Sequence, residues 1–313
     1  MFNTKIYYKQ VLDEWLNNKK LTTKITTYFK YKSVIERNIN PILGNILFKK
    51  IKEDDLSDFF KNENIICLSD STKNLLFIII NSSIKYGLKK IYRKSFLSLD
   101  IKIKQPKARI VYLTRKEQSI LEKYINNNLN LRNLAILLDL YTGLRLGELC
   151  ALQWNDIDFV NNTISITKTV QRIKSHDNNS IKKTKLIISP PKTEYSIRTI
   201  PIPEFLVNIL KQYRSDNDIY IFTNTTKPKD PRTLEKYFKN LLTKCQIRDF
   251  VFHALRHTYA TRSREAGMDI KILSELLGHS TYKITLDIYV HTSLDFKKDS
   301  VNSLVKYLRP KSS

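Results

Sequence analysis

Four of the five histidines fall between positions 253 and 291, and the side chains best suited to chemistry cluster around them. His253-Ala-Leu-Arg256 sets an imidazole and a guanidinium three residues apart, hence on one face of a helix. Leu276-Leu-Gly-His279 reads as a helix end, with Gly278 as the breaker and His279 just beyond it. Tyr289 follows ten residues later. Upstream, Tyr141-Thr-Gly-Leu-Arg145-Leu-Gly-Glu148 puts an arginine in a glycine-flanked turn that enters a helix, and Lys192 stands ahead of a strand. A metal site does not account for this set: Arg256 occupies the place of a second ligand, and no carboxylate or cysteine completes a ligand group. Neither a metal nor a cofactor is expected. Two guanidiniums are planar, bidentate donors to anionic oxygens, and imidazoles can donate or move protons beside them. Taken singly each residue is weak, since Tyr289 is one of 17 tyrosines and either arginine is one of 54 basic residues.

The elements that must position these residues fall into two groups. Val11, Leu12, Trp15 and Leu16 form one helical stripe, and Tyr28, Tyr31, Val34, Ile35 and Ile39 form another that stops at Pro41. Two more helices are predicted, Asp54–Asn62 and Ser71–Tyr86, the second ended by Gly87. From Ile91 to Ala108 the chain is basic and proline-interrupted, which reads as a linker. Thr114-Arg-Lys-Glu117 is a capping box opening a helix to Asn127, and Leu131–Tyr141 is apolar enough for a buried helix. Thr163–Thr167 and Arg198–Ile202 alternate like strands, and Ser175–Lys185 between them reads as a loop or hairpin tip. From Glu204 the pattern is helical apart from a short strand at Ile219–Phe222. Asp295–Leu308 carries a last stripe of Val301, Leu304, Val305 and Leu308. The expected fold is mainly α: an all-helical N-terminal domain (1–90), a linker (91–108), and a mostly helical α+β domain (109–313) with a small antiparallel sheet.

Composition narrows the partners. The 313 residues carry a formal net charge of +24. Residues 1–108 hold 21 basic against 10 acidic side chains, and residues 109–313 hold 33 against 20. Two basic modules suit a shared polyanion, whose phosphates supply affinity through counterion release. The longest apolar run, Leu75–Ile80, falls far short of the ~20 residues of a membrane span. The first residues lack the pattern of a signal peptide, and three scattered cysteines fit a reducing compartment, so a cytoplasmic location is expected. Six glycines form neither a Walker A loop nor a GxGxxG fingerprint, which argues against an ATP-driven or nicotinamide enzyme.

In this order, Arg145 in a TGLR turn, Lys192, His253 with Arg256, His279 in LGH and Tyr289 resemble the tyrosine recombinase (phage integrase) family, and Glu148 fills its acidic position three after the first arginine. Residues 28–44, YFKYKSVIERNINPILG, are similar to a helix and turn of that family's core-binding domain. The resemblance implies a core DNA-binding domain followed by a catalytic domain with a C-terminal helix. It implies cleavage and rejoining of double-stranded DNA through a 3′-phosphotyrosine intermediate and a Holliday junction, by four protomers clamped on two DNA sites. Tyr289 is then the nucleophile, Lys192 the general acid, and Glu148 a supporting residue that orients its neighbours. The residue types agree with that chemistry. Two arginines stabilise the phosphoryl oxygens, and a phosphotyrosine ester conserves bond energy, so no ATP is needed. Structural roles are expected for His257 and His291, and an exposed one for His176.

Within the family, Xer-type dimer-resolution recombinases have a short hairpin after the first arginine. The long stretch from Ile157 to Ile202, with Lys-Thr-Val-Gln-Arg and Pro-Lys-Thr, looks instead like integrases of phages and conjugative transposons. Many of these carry a further N-terminal arm-binding domain, whereas this sequence opens on the core-binding helices. That leaves open a protein working without arm sites or a shortened form, and makes an excisionase or DNA-bending protein an optional partner. A type IB topoisomerase shares the Arg, Lys and Tyr chemistry but not the helical first domain or the LGH spacing. A non-catalytic DNA-binding protein would not be expected to keep all six residues. The C-terminal helix is expected to dock on a neighbouring protomer, the alternative being that it folds back on its own domain.

Overall fold

The computed structural model describes residues 5–23, 25–92, 111–174, 184–191, 194–216 and 219–279, together with 281, 298, 301–302 and 308. The chain divides into two units, Met1–Ala108 and Arg109–Ser313, each with its own hydrophobic core.

In the first unit, α1 (Tyr8–Thr22) buries Tyr8, Val11, Leu12, Trp15 and Leu16, the stripe expected of a helix with one face on a core. The Tyr8 hydroxyl lies 2.7 Å from Ser83 Oγ, which satisfies a phenol placed wholly inside. After α2 (Ile25–Val34) the chain does not stop at Pro41. It widens into a π-turn over Ile35–Ile39 and re-forms as α3 (Asn40–Leu43), with Pro41 in the first turn. Proline lacks an amide proton and its ring collides with the carbonyl four residues back; the wider turn relieves both, and a first-turn amide needs no partner. Next come α4 (Glu53–Lys61), α5 (Glu63–Ile66) and α6 (Asp70–Gly87). Gly87 is not a breaker, because helical backbone continues into a π-turn at Leu88–Tyr92 that takes in Ile91 and Tyr92 of the expected linker. Its lack of a side chain serves packing: a Cβ there would lie 2.6 Å from Phe48 Cζ and 2.7 Å from Val11 Cγ1. The rest of the linker, 93–108, lies outside the described residues.

The second unit opens with α7 (Arg115–Asn127), capped as expected: the Glu117 amide donates to Thr114 Oγ1 at 3.2 Å and the Thr114 amide to Glu117 Oε2 at 2.7 Å. α8 (Leu131–Thr142) is buried on nearly every side from Asn133 to Leu140 and ends at Gly143, whose φ is +60°. The four-residue α9 (Leu146–Leu149) follows. Strands β1 (Ile157–Asp158), β2 (Thr163–Ile166) and β5 (Arg198–Pro201) form an antiparallel sheet in the order β1-β2-β5, with Ile164 opposite Ile200. A second pair, β3 (Thr169–Lys174) with β4 (Thr184–Ser189), is an antiparallel hairpin in register from Thr169–Ser189 to Lys174–Thr184. The sequence pattern gave no strand at Thr169–Lys174, because its alternation is interrupted by polar residues.

α10 (Glu204–Gln212), α11 (Pro231–Lys244), α12 (Ala254–Glu265) and α13 (Ile270–Leu277) complete the described helices of this unit. The strand expected at Ile219–Phe222 reduces to isolated bridges from Tyr220 to Gln153 and Thr225. Asn224, at φ +52°, turns the chain back at once, so no ladder extends. Of the expected C-terminal helix only residues 298, 301, 302 and 308 are described; they are helical, with Val301 and Leu308 exposed.

Candidate active site

Two helix ends build the site. The last carbonyls of an α-helix have no partner within the helix and carry its negative dipole end, so they attract cationic donors. α13 ends at Gly278 in the left-handed conformation (φ +66°), and three successive carbonyls there each accept from a different arginine. Leu276 O accepts from Arg198 Nε at 2.6 Å, Leu277 O from Arg256 Nη2 at 2.7 Å, and Gly278 O from Arg145 Nη2 at 2.8 Å. The end of α8 adds Gly143 O, which accepts from Arg256 Nη1 at 2.7 Å. The TGLR turn, the helix after His253 and the LGH turn are thereby drawn to one place.

Glu148 supplies the bonded counter-charge. Its Oε1 accepts from Arg145 Nη1 at 2.7 Å, and its Oε2 from Arg198 Nη2 at 2.9 Å and the Arg145 amide at 3.0 Å. Although burial works against its charge, Arg198 and then Arg145 hold the carboxyl below the usual carboxylate range. Two guanidiniums thus share one carboxylate while Arg256 bonds to carbonyls and an imidazole, and the site keeps a surplus of positive charge. Arg145 also presents a face to solvent: its side chain is 37% exposed, against 7% for Arg198. Arg256 is buried, and burial, then Arg145, pulls its pKa down to about 9, which leaves it charged at neutral pH.

His279, one residue past Gly278, places Nε2 2.9 Å from Arg256 Nη2. A guanidinium can only donate, so Nε2 accepts and the ring proton sits on Nδ1. His253 is the N-cap residue of α12 rather than a member of its first turn, and its ring meets that of His257 edge-on with centroids 4.7 Å apart. Burial, followed by His257 and then Arg256 for His253 and by Arg256 and then Arg145 for His279, pushes both down to about 4, so both are neutral imidazoles at pH 7. A neutral ring keeps one donor and one acceptor, which suits holding an oxygen or passing a proton.

Of the residues singled out in the sequence, Arg145, Glu148, His253, Arg256 and His279 are brought together. Lys192 and Tyr289 lie outside the described residues. Among the described residues, Ser196 places its Oγ 3.5 Å from Arg145 Nη1. The hairpin is seated on α9: a Cβ on Gly147 would lie 2.5 Å from Thr169 Oγ1 and 2.7 Å from Val170 O. At its other side Arg172 pairs with Asp230, the N-cap residue of α11. Sequence reasoning missed Arg198. It shares the inward side of β5 with Ile200, and an arginine at that phase of a half-buried strand was the available signal. Among the described residues no three His, Cys, Asp or Glu side chains are grouped to hold a metal ion.

Comparison with known proteins identifies the family. Residues 111–295 match the model of the phage integrase family, and residues 7–63 match its N-terminal SAM-like domain. A XerC-like tyrosine recombinase of Caldanaerobacter subterraneus subsp. tengcongensis is 38% identical over 183 residues, 52% of this chain but only 46% of that protein. The integrase of Staphylococcus phage L54a is 26% identical over 335 aligned positions, covering 96% of this chain and 92% of its own. The fold is similar to that of the Tn1549 transposon integrase solved with a circular intermediate DNA, with a TM-score of 0.77, 22% identity and coverage of 96% and 99% of the two chains. On the family match over most of its second unit and much of its first, the chain belongs to the phage integrase family.

Proposed function

We propose that this protein is a site-specific DNA recombinase, the integrase of a mobile element, and that it breaks and rejoins double-stranded DNA without metal or ATP. The convergence of Arg145, Arg256 and His279 on two helix ends, with His253 near enough to feel both arginines, carries the reading, because it concentrates donors and surplus positive charge where a phosphodiester could sit. Tyr289 attacks phosphorus as a neutral imidazole of the site takes its phenol proton, the Oη–P bond forms as the P–O5′ bond breaks, and Lys192 gives its proton to the departing 5′ oxygen. Arg145 and Arg256 hold the non-bridging oxygens, the neutral imidazoles donate to them or pass protons, and Glu148 fixes the arginines. The product is a 3′-phosphotyrosine, which a second 5′ hydroxyl resolves after strand exchange through a Holliday junction. Four protomers on two DNA sites perform that exchange, and the exposed Val301 and Leu308 support docking of the C-terminal segment on a neighbour. Lambda integrase has been solved as a tetramer on a Holliday junction, which supports the same assembly here.

A Xer-type role is the second reading, favoured by the 38% identity to the XerC-like recombinase. The near-complete alignment with the phage integrase supports integration instead.

The test uses nicked DNA spanning the ends of the element that encodes the chain, incubated with wild-type or Tyr289→Phe protein without metal or ATP. A covalent adduct from wild type alone, seen on a denaturing gel, is the expected result. An adduct that survives Tyr289→Phe would assign the nucleophile to another residue, and binding with no adduct from either protein would favour a purely DNA-binding role. Recombination between two unlike sites, rather than two copies of one, separates integrase from Xer.

A further inference from the structure

We propose that Asp139 is a positioning residue for Arg256, its buried carboxylate holding the guanidinium from the protein side. This rests on the recombinase reading above. Asp139 is fully buried in α8, and its carboxyl faces the Leu144 amide of the TGLR turn but accepts from no side-chain donor among the described residues. Such a group carries a steep desolvation penalty, and the rest of that helix from Leu134 to Leu140 is apolar, so an aliphatic side chain would suit packing better. Its place in the fold gives a reason for it. The Asp139 carbonyl accepts from the Gly143 amide at 2.8 Å, and the Gly143 carbonyl accepts from Arg256 Nη1 at 2.7 Å, so the acid and the arginine are tied to the same turn. Glu148 is already bonded to Arg145 and Arg198, whereas the hydrogen bonds of Arg256 go to carbonyls and an imidazole. Among the described residues Asp139 is the second negative charge that acts on that guanidinium, after Glu148, and it is bonded to neither of the other arginines.

The charged groups around Asp139 set a definite pH response. Burial raises its pKa well above the ordinary carboxylate range, Arg256 on α12 opposes that rise, Glu148 on α9 adds to it, and the Leu144 amide opposes it. Buried Cys150 also feels its charge. The positioning form is the ionised one. Cleavage should therefore be lost as pH falls through the raised pKa of Asp139, before the imidazoles of His253 and His279 titrate near 4.

The experiment follows adduct formation by full-length protein on the nicked DNA from pH 5 to 9, for wild type and the near-isosteric Asp139→Asn, with DNA affinity measured in parallel. The expected result is an acid limb in wild type that vanishes in Asp139→Asn, whose rate at pH 8 is about tenfold lower at unchanged affinity. A residue that only filled space would not move the pH profile. Equal rates and equal profiles in the two proteins would overturn the role of Asp139 alone. Absence of any wild-type adduct would overturn the recombinase reading and this role with it. Should Asp139→Asn melt too low to assay, the wild-type profile decides by itself: a rate that falls only where the imidazoles titrate, near 4, refutes the proposal.

Discussion

Glu148 meets two guanidiniums and a backbone amide with two oxygens while its side chain is 3% exposed. Removing one member of a buried charge cluster leaves the others desolvated and unpaired, a loss of about 3–5 kcal/mol in comparable pairs. Glu148→Ala should therefore lower the free energy of unfolding by about that amount and abolish DNA cleavage, because Arg145 loses the partner that fixes both its backbone and its side chain. Glu148→Gln keeps one accepting oxygen but turns an amide NH₂ toward an arginine, so an intermediate loss is expected. Urea denaturation of the three proteins gives the ordering, and an alanine variant as stable as wild type would refute the cluster's role. Sequence alone offered a reason for guanidiniums and imidazoles to meet, because both can serve one anionic centre. It did not show that Arg198 joins them, because a strand arginine is usually a solvated charge and its partners lie 50 and 78 residues away in the chain.

The same divide separates the elements that were readable from those that were not. Stripes such as Val11, Leu12, Trp15 and Leu16, and the Thr114–Glu117 box, are local patterns, and the structure keeps them. Gly87 was misread as a helix end because its purpose, the close approach of α6 to Phe48 and Val11, is a long-range contact. Glycines that do end helices near the site have a second job, since the left-handed turn exposes the carbonyls that bind arginine. Gly143 and Gly267 separate the two effects. Both have positive φ, +60° and +86°, so a side chain is strained at either by about 1–2 kcal/mol. A Cβ at Gly143 would also lie 2.4 Å from Tyr259 Cδ1, while nothing lies within 4 Å at Gly267. Gly143→Ala should accordingly destabilise the protein clearly more than Gly267→Ala and should also slow cleavage, with Gly267→Ala leaving the rate near wild type. Equal melting temperatures for the two variants would mean that the turn shifts freely and does not fix Arg256.

On the recombinase reading, chemistry and affinity have different sources, and the difference can be measured. The site uses a handful of buried and half-buried groups, whereas the net charge of +24 is spread over both units, with basic residues in excess in each. Phosphate neutralisation by such a surface releases counterions, and the logarithm of affinity then falls linearly with the logarithm of salt at about 0.9 per contacted phosphate. Some 6–10 contacts would give a slope of about −5 to −9, and a loss of roughly 10³–10⁵ in affinity between about 50 and 200 mM salt. Tyr289→Phe removes one hydroxyl and no charge, so it should keep this slope within error while forming no adduct. Fluorescence anisotropy on a labelled duplex across a salt series, for wild type and Tyr289→Phe, tests both statements. A slope near zero would mean that the excess of lysine and arginine only solubilises the surface, and that DNA is held by the site's few donors. A steep slope shared by the two proteins would place recognition on the basic surfaces and leave the arginine cluster free to act on the one phosphate they deliver.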